Sequence, residues 1–472
     1  MDAKDQKLGM ATVLGLVAMG FGTFVIATDF VALAVALPSL GKEFAADVTT
    51  SQWVVTGYAL VFGIFIVTGG RLADMFGRRR VFFIGMTTFA IFSLVGGLAT
   101  DIWMVLIARG IMGIGAAMMW PAILGMTFSL LPEDKMSIGG SVIMGVAGFG
   151  NAIGPLLGGG LTEFLSWRWV FYINVPVAIA AIIVTYMVVP SDTQEDVDER
   201  IDYPGIVTLS LGLFGLLLLL DIGADLGWFD PVILALFFGS LVILAIFLFI
   251  ERRSGMDALV PNEVMSNRKF VAAAVATLMM SSIYFAPILY LPQFMSKVLG
   301  YSAMDAGVGM LPVMGMFALV SIVASPLYDR FGAKLIISLG AFCLGLGIFL
   351  ISRALPAASF EDLVPGMLVL GTGIGIFYSS ITTAGITALD PSRASLAGAI
   401  VYMFQIAGGA IGMGLNTAIV VSAPTFSEGI VRAFTVDAVF ALCGLLICLL
   451  FVDGPLNRES LLSGFARKVD NG

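Results

Sequence analysis

The sequence predicts an all-α integral membrane fold of fourteen spanning helices. Hydrophobic residues fill 59% of its 472 positions against 12% charged, with a mean hydropathy of +1.02, more apolar surface than a soluble domain buries. Apolar runs of the roughly 20 residues that a spanning helix needs also recur from end to end, broken by charged or Pro/Gly-containing segments. No stretch between them is long enough for a soluble domain.

The first run, about 10–38, carries an acid in its apolar core. Asp29 lies in Phe24-Val25-Ile26-Ala27-Thr28-Asp29-Phe30-Val31-Ala32-Leu33, with no other charge between Lys7 and Lys42. A carboxylate there costs about 2.5–3.5 kcal/mol on insertion scales, so it is expected to face protein or water. The run is too long for a signal peptide and lacks a small-residue cleavage site after it, so it reads as a retained helix. Runs two to six follow at about 52–72, 81–99, 102–130, 137–161 and 168–189.

Between the sixth and seventh runs lies an acidic connector with Asp192, Glu195, Asp196, Asp198, Glu199 and Asp202, which has no apolar period and reads as a solvated linker. Two runs at about 203–221 and 230–250 hold few polar residues, and Asp221 is expected at the interface. The last six are at about 270–294, 304–327, 335–352, 363–388, 395–421 and 433–452. On these boundaries Asp437 falls in the opening turn of the last run, where an acid suits the helix dipole.

An even number of spans puts both termini on one side. Most of the 24 Lys and Arg fall on the side of the N-terminus, among them Arg71, Arg78, Arg79, Arg80, Arg252, Arg253, Arg330, Lys334, Arg467 and Lys468. The positive-inside rule makes that side cytoplasmic. The chain also repeats itself: Gly-Asn-Ala-Ile-Gly-Pro at 150–155 recurs as Gly-Gly-Ala-Ile-Gly-Met at 408–413, and Gly113, Gly115 and Trp120 match Gly371, Gly373 and Tyr378 at the same offset. The organisation expected is a six-helix half (1–190), the linker with two inserted helices (191–265), and a second six-helix half with a tail (266–472). Two similar halves with a site between them is a transporter design.

Several chemistries lose their usual residues. The chain has no histidine, and its three cysteines, Cys343, Cys443 and Cys448, lie inside apolar runs without metal or disulfide spacing. No nucleotide-binding loop and no nucleophile–base pair is evident. No metal, cofactor or enzymatic activity is expected, and nucleic-acid binding has no support.

Three motifs stand out. The second and third runs are joined by Gly70-Arg71-Leu72-Ala73-Asp74-Met75-Phe76-Gly77-Arg78-Arg79-Arg80, where glycine permits close approach and the acid and arginines can pair at the membrane surface. A degenerate copy, Ser325-Pro326-Leu327-Tyr328-Asp329-Arg330-Phe331-Gly332-Ala333-Lys334, joins the tenth and eleventh. The fourth run contains Leu106-Ile107-Ala108-Arg109-Gly110-Ile111-Met112-Gly113-Ile114-Gly115. Arg109 is about seven residues into a helix running inward and Asp29 nine residues before Pro38 in one running outward, so both belong to the outer half of the membrane, within reach of each other. The fifth run carries Gly145, Gly148, Gly150, Asn151, Gly154, Pro155, Gly158, Gly159 and Gly160, small residues that let backbones approach and a proline that bends the ladder.

These motifs resemble the major facilitator superfamily (MFS). The first loop is similar to its G-x-L-a-D-r-x-G-r-[rk] signature at Gly70, Leu72, Ala73, Asp74, Gly77, Arg78 and Arg79, and the Arg109 segment to its l-x-x-x-R-x-x-x-G-x-g pattern. Fourteen helices and the long middle insertion resemble the drug:proton antiporter branch typified by EmrB and QacA. The resemblance implies an MFS fold of two six-helix halves plus two extra central helices. It gives Asp29 and Arg109 a role in proton coupling, the Asp74 loop (Gly70, Asp74, Gly77, Arg78, Arg79) that of a conformational latch, and Gly150, Gly154, Pro155, Gly158 and Gly159 the pattern that marks exporters. Helix one keeps Asp29 and Val35-Ala36-Leu37-Pro38 of the branch's D-x-T-x-V-N-V-A-L-P element but has Val31, Leu33 and Ala34 where threonine, valine and asparagine are usual, which predicts a drier site. Arg109 aligns with Met367 in the second half, so coupling is expected in the first.

The expected function is proton-coupled antiport that exports drug-like amphipathic compounds across the cell membrane. A lipid or metabolite exporter on the same scaffold, or a non-transporting sensor or scaffold, are the alternatives. Partners expected are the small-molecule substrate, protons and membrane lipid, with a monomer as the unit and compatibility with a periplasmic adaptor. Candidate cavity residues are Tyr58, Trp120, Asn151, Tyr284, Tyr290, Gln293, Phe377, Tyr378, Met403 and Gln405, since aromatics and methionine adapt to varied apolar ligands.

Overall fold

The structure, a computed structural model, describes residues 8–46, 48–190, 201–254 and 258–452. Most of the acidic connector, 191–200, lies outside the described residues, as do the tail positions Arg467 and Lys468 and the side chain of Asp221. Among the described residues fourteen helices are long and apolar enough to cross a membrane. They are α1 (Met10–Glu43), α2 (Thr50–Phe76), α3 (Arg78–Gly97), α4 (Ile102–Ser129), α5 (Ser137–Phe164), α6 (Arg168–Val188), α7 (Tyr203–Leu220), α8 (Pro231–Ser254), α9 (Arg268–Lys297), α10 (Met304–Phe331), α11 (Ala333–Ala357), α12 (Phe360–Thr387), α13 (Pro391–Ser422) and α14 (Phe426–Phe451).

Local chemistry sets the ends of these helices. Asp101 caps α4 by accepting from the Met104 amide at 2.9 Å, Asp202 caps α7 through the Gly205 amide at 2.9 Å, and Asn267 caps α9 through the amides of Lys269 and Phe270. Each satisfies backbone donors that a helix start leaves free. Gly77 and Gly332, at φ 98° and 83°, turn the chain between α2 and α3 and between α10 and α11, a backbone that a side chain disfavours. The final helix starts earlier than its hydropathy predicts. Thr425 caps it at the Glu428 amide and Glu428 pairs with Arg432 one turn on at 2.5 Å, so polar residues that read as a loop are helical. Asp437 is therefore not in an opening turn but eleven residues beyond Phe426, and buried.

The chain forms two compact units: Met1–Asp134 with Gly150–Ser266 and Leu389–Met403, and Lys135–Phe149 with Asn267–Ala388 and Phe404–Gly472. In the first, α4 packs on α2 and α3, α6 on α1 and α3, and the inserted α7 and α8 on each other with α7 on α2. In the second the same pattern recurs, α12 on α10 and α11, and α14 on α9 and α11. The repeated glycines explain the match: Gly113 and Gly115 face backbone of α2 and α3, and Gly371 and Gly373 face backbone of α10 and α11, where a Cβ would collide. The units divide α5 and α13, so that the first turns of each belong to the unit built from the other sequence half.

Candidate functional site

In the first unit the Asp29 carboxylate and the Arg109 guanidinium form an ion pair, Nη1 to Oδ2 at 2.5 Å, with both side chains fully buried. The second carboxylate oxygen accepts from Asn174 Nδ2 at 2.7 Å. The same amide reaches Ser93 Oγ at 3.1 Å, and Ser93 donates to the Phe171 carbonyl at 2.8 Å. Arg109 has further anchors: Nε donates to the Val54 carbonyl at 2.9 Å, and the guanidinium lies 4.0 Å from the centre of the Tyr58 ring. Five helices, α1 to α4 and α6, thus supply one sealed polar cluster. A buried charge pair depends on having its remaining donors and acceptors satisfied; here both carboxylate oxygens and the Arg109 Nε and Nη1 are bonded, while Nη2 is buried without a hydrogen-bond partner.

Asn174 and Ser93 are not apparent from the sequence. Asn174 stands two residues before Pro176 in an otherwise apolar run, and a polar amide in such a run is the one signal available. Their presence corrects the expectation of a dry site, because the polar neighbours lost along α1 at Val31 and Ala34 are replaced from α6. Tyr58, assigned above to a cargo cavity, stacks on Arg109 and has the Phe62 ring 6.1 Å away.

The exporter motif meets this cluster from the side. A Cβ on Gly150 would press Ala27 and Thr28, one on Gly154 would press Val31, and one on Gly158 would run into the Ala32 backbone. Three glycines at four-residue spacing therefore seat α5 against the turns of α1 that carry Asp29. At Gly159 a Cβ would meet only the Val35 side chain, at ordinary contact distance. Gly158→Ala is expected to lower thermal stability by about 1–3 kcal/mol through overpacking, whereas Gly159→Ala should match the wild type in the same melting assay.

The Gly70–Arg80 loop builds a second site in this unit. Asp74 accepts from the amides of Ser395 at 3.2 Å and Leu396 at 2.8 Å, in the first turns of α13, and from Arg78 Nε at 3.0 Å. A carboxylate at a helix start meets both free donors and the positive end of the dipole. Arg78 continues to the Gly125 carbonyl of α4 at 3.2 Å and the Pro391 carbonyl at 2.5 Å. Next to it Asp390, outside the spans, has its carboxyl held below the usual range by the hydroxyl and amide of Ser392. Arg79 caps the end of α6, donating to the carbonyls of Val189 at 2.7 Å and Tyr186 at 3.0 Å. Gly70 gives α2 room beside Ser395 and Ala399, which a Cβ would overlap. In the second unit the degenerate copy does the equivalent: Asp329 accepts from Ser137 Oγ at the start of α5 at 2.8 Å. Asp74→Ala should cost about 0.5–2 kcal/mol, the range of a lost helix cap, read as a fall in melting temperature.

The other cavity candidates fall into separate groups. In the first unit Trp120 lies 4.6 Å from Tyr402, which lies 5.5 Å from Phe62; Asn151 and Met403 are half-buried. In the second, Tyr284, Phe377 and Tyr378 form a ring cluster with centroids 5.2 Å apart, Tyr378 pairs with Ser281 at 2.8 Å and Tyr290 with Thr417 at 2.7 Å. Gln293 bonds within α9 to Leu289 and Lys297, and Gln405 is half-buried.

Comparison with known proteins bears on the family and the fold. The profile of the Major Facilitator Superfamily matches residues 19–413. The puromycin resistance protein pur8 of Streptomyces alboniger is 32% identical over 430 residues, spanning 90% of this chain and 83% of its own. The multidrug resistance protein Stp of Mycobacterium tuberculosis is 32% identical over 409 residues, 84% and 74%. The cephamycin export protein CmcT of Amycolatopsis lactamdurans is 32% identical over 399 residues, 83% and 82%. Among solved structures, the human organic anion transporter MFSD10 (TETRAN) superposes with a TM-score of 0.70 at 13% identity, covering 93% of this chain and 99% of its own, a likeness of fold.

Proposed function

Because the chain belongs to the Major Facilitator Superfamily, we propose that it exports amphipathic, drug-like molecules across the cell membrane in exchange for protons. Fourteen spanning helices make it a multi-pass membrane protein. Export of such cargo is supported by relatives whose names record antibiotic resistance, multidrug resistance or export. The observation that carries the coupling is the sealed Asp29–Arg109 pair.

The mechanism follows from its partners. A carboxylate whose two oxygens accept from a guanidinium and an amide leaves neither oxygen unpaired for cargo, so its negative charge is engaged in the paired state. A proton arriving on Asp29 removes that charge and releases Arg109, which keeps the Val54 carbonyl and the Tyr58 face. Asn174 is a positioning residue that orients the carboxylate. The glycine track of α5 gives α1 a smooth surface on which to move, and Asp74 holds the first turns of α13 as a latch in one conformation. Both termini are cytoplasmic in this reading, from the bias of Lys and Arg. The working unit is the monomer, and a periplasmic adaptor is compatible with it.

The test is uptake into inverted or reconstituted vesicles under an imposed pH gradient, with chemically unrelated cationic and neutral dyes. Mutual competition among them is expected. Saturation by a single lipid, with no dye transported, would instead mark a lipid exporter.

A further inference from the structure

The second unit contains a buried acid that the Asp29 mechanism leaves unused. Asp437 of α14 is 1% exposed. Its Oδ1 accepts from Asn416 Nδ2 at 3.0 Å, and that nitrogen also donates to the Gly412 carbonyl at 2.8 Å, so the amide is fixed with both hydrogens in use. Two buried atoms of the pair have no partner: Asp437 Oδ2 and Asn416 Oδ1. Both are acceptors. One proton on Oδ2 supplies the missing donor, allowing the carboxyl to give a hydrogen bond to the amide oxygen while the amide gives one to Oδ1.

Nothing around Asp437 offers a positive charge in place of that proton. From α9, the titratable group beside it is Tyr290, whose hydroxyl pairs with Thr417. At the outer end of α9, Lys297 lies over the Phe426 ring at 4.4 Å. On α14 itself Arg432 pairs with Glu428, and Cys443 and Cys448 lie farther along. From α11 come Cys343 and, exposed near its end, Arg353. From α13, residues 404–422 carry no charge. Among the described residues no cation forms an ion pair with Asp437. A bare carboxylate with one oxygen unpaired, enclosed by apolar helices, is an arrangement that proteins avoid by neutralising the group.

We propose that Asp437 is a second proton-binding site, with the proton held on Oδ2 and shared with Asn416. It goes beyond the coupling pair: the first unit shows its acid ion-paired, while the second holds its acid uncharged. Release is governed by the helices that bring the partners together. Asn416 is pinned through α13, where Gly408 and Gly412 fit against the backbone of α9 at Leu278 and Ser282 with no room for a Cβ. A shift of α13 from α14 removes the amide and opens Oδ2.

Infrared difference spectroscopy on the full protein in lipid at neutral pH tests this, because a protonated carboxyl has a C=O stretch that a carboxylate lacks. Wild type minus Asp437→Asn is expected to show one such band, and Asn416→Ala to shift it. Asp437→Asn, a neutral isostere, should melt as the wild type does. Absence of the band, or an Asp437→Asn protein that unfolds or loses much of its stability, would show a charged carboxylate and overturn the proposal. The Asp29→Asn protein separates the two sites: its spectrum retains the Asp437 band whether or not Asp29 couples transport.

Discussion

Asp29→Asn is expected to reduce pH-gradient-driven substrate accumulation in reconstituted vesicles to the level of protein-free vesicles, while substrate binding persists. Asparagine keeps an acceptor for Arg109 and loses the proton site, so it mimics the protonated state permanently. The replacement leaves Arg109 without its counter-ion, which for a buried pair is usually ruinous. Here the Val54 carbonyl and the Tyr58 ring remain on the guanidinium, and the proposed cycle itself requires the protein to stand with a neutral residue 29. A folded, binding-competent and uncoupled variant is therefore the predicted combination. Binding is read by fluorescence titration with a transported dye and coupling by accumulation under the gradient.

The larger effect on folding belongs to the other partner. Arg109→Ala leaves the Asp29 charge buried with one amide donor and opens a cavity beneath Tyr58. Breaking a buried pair from one side costs about 3–5 kcal/mol, enough to lower the melting temperature strongly and to reduce the amount of protein in the membrane. Arg109→Lys should recover only part of this. A lysine has a single charged nitrogen and cannot address the Val54 carbonyl and the Asp29 carboxylate in the fixed fork that the guanidinium provides. Recovery of full stability by lysine, measured by thermal melting of the purified protein, would show that the fork geometry is dispensable.

The legibility of these features in the sequence follows their energetic cost. A charge within an apolar run is expensive wherever it occurs, so Asp29 and Arg109 announced themselves, and helix geometry placed them at one depth. The loop around Asp74 was legible because a tight connection between two spans demands glycine, and Gly77 does take a positive φ. What Asp74 grips was not legible, since the amides of Ser395 and Leu396 are backbone groups more than three hundred positions away. Asn174 escaped for a related reason. A neutral amide in an apolar run costs less than a charge and so marks itself only weakly, and its value arises when packing brings α6 to α1.

One misplacement and one unforeseen role have the same physical root. Asp437 was assigned to a helix start because Glu428 and Arg432 read as a polar loop, although on a helix they are adjacent and pair. Tyr58 was given to a cargo cavity because aromatic residues suit many surroundings; its use as a platform for a cation depends on where Arg109 lies. Among the glycines of α5, the sequence could not separate Gly158, packed on α1 backbone, from Gly159, which is not. Spacing of four residues within the set was the usable signal, and Gly150, Gly154 and Gly158 obey it.

Proton release on substrate binding tests the coupling most directly. Purified wild-type protein in a weakly buffered solution with a pH indicator, at a pH acid enough for Asp29 to start protonated and unpaired from Arg109, should release protons when a transported dye is added, and Asp29→Asn, with Asp437 intact, should release fewer by one per molecule bound. Equal release from the two proteins would contradict the account, because the proton exchanged for cargo would then reside elsewhere than on Asp29.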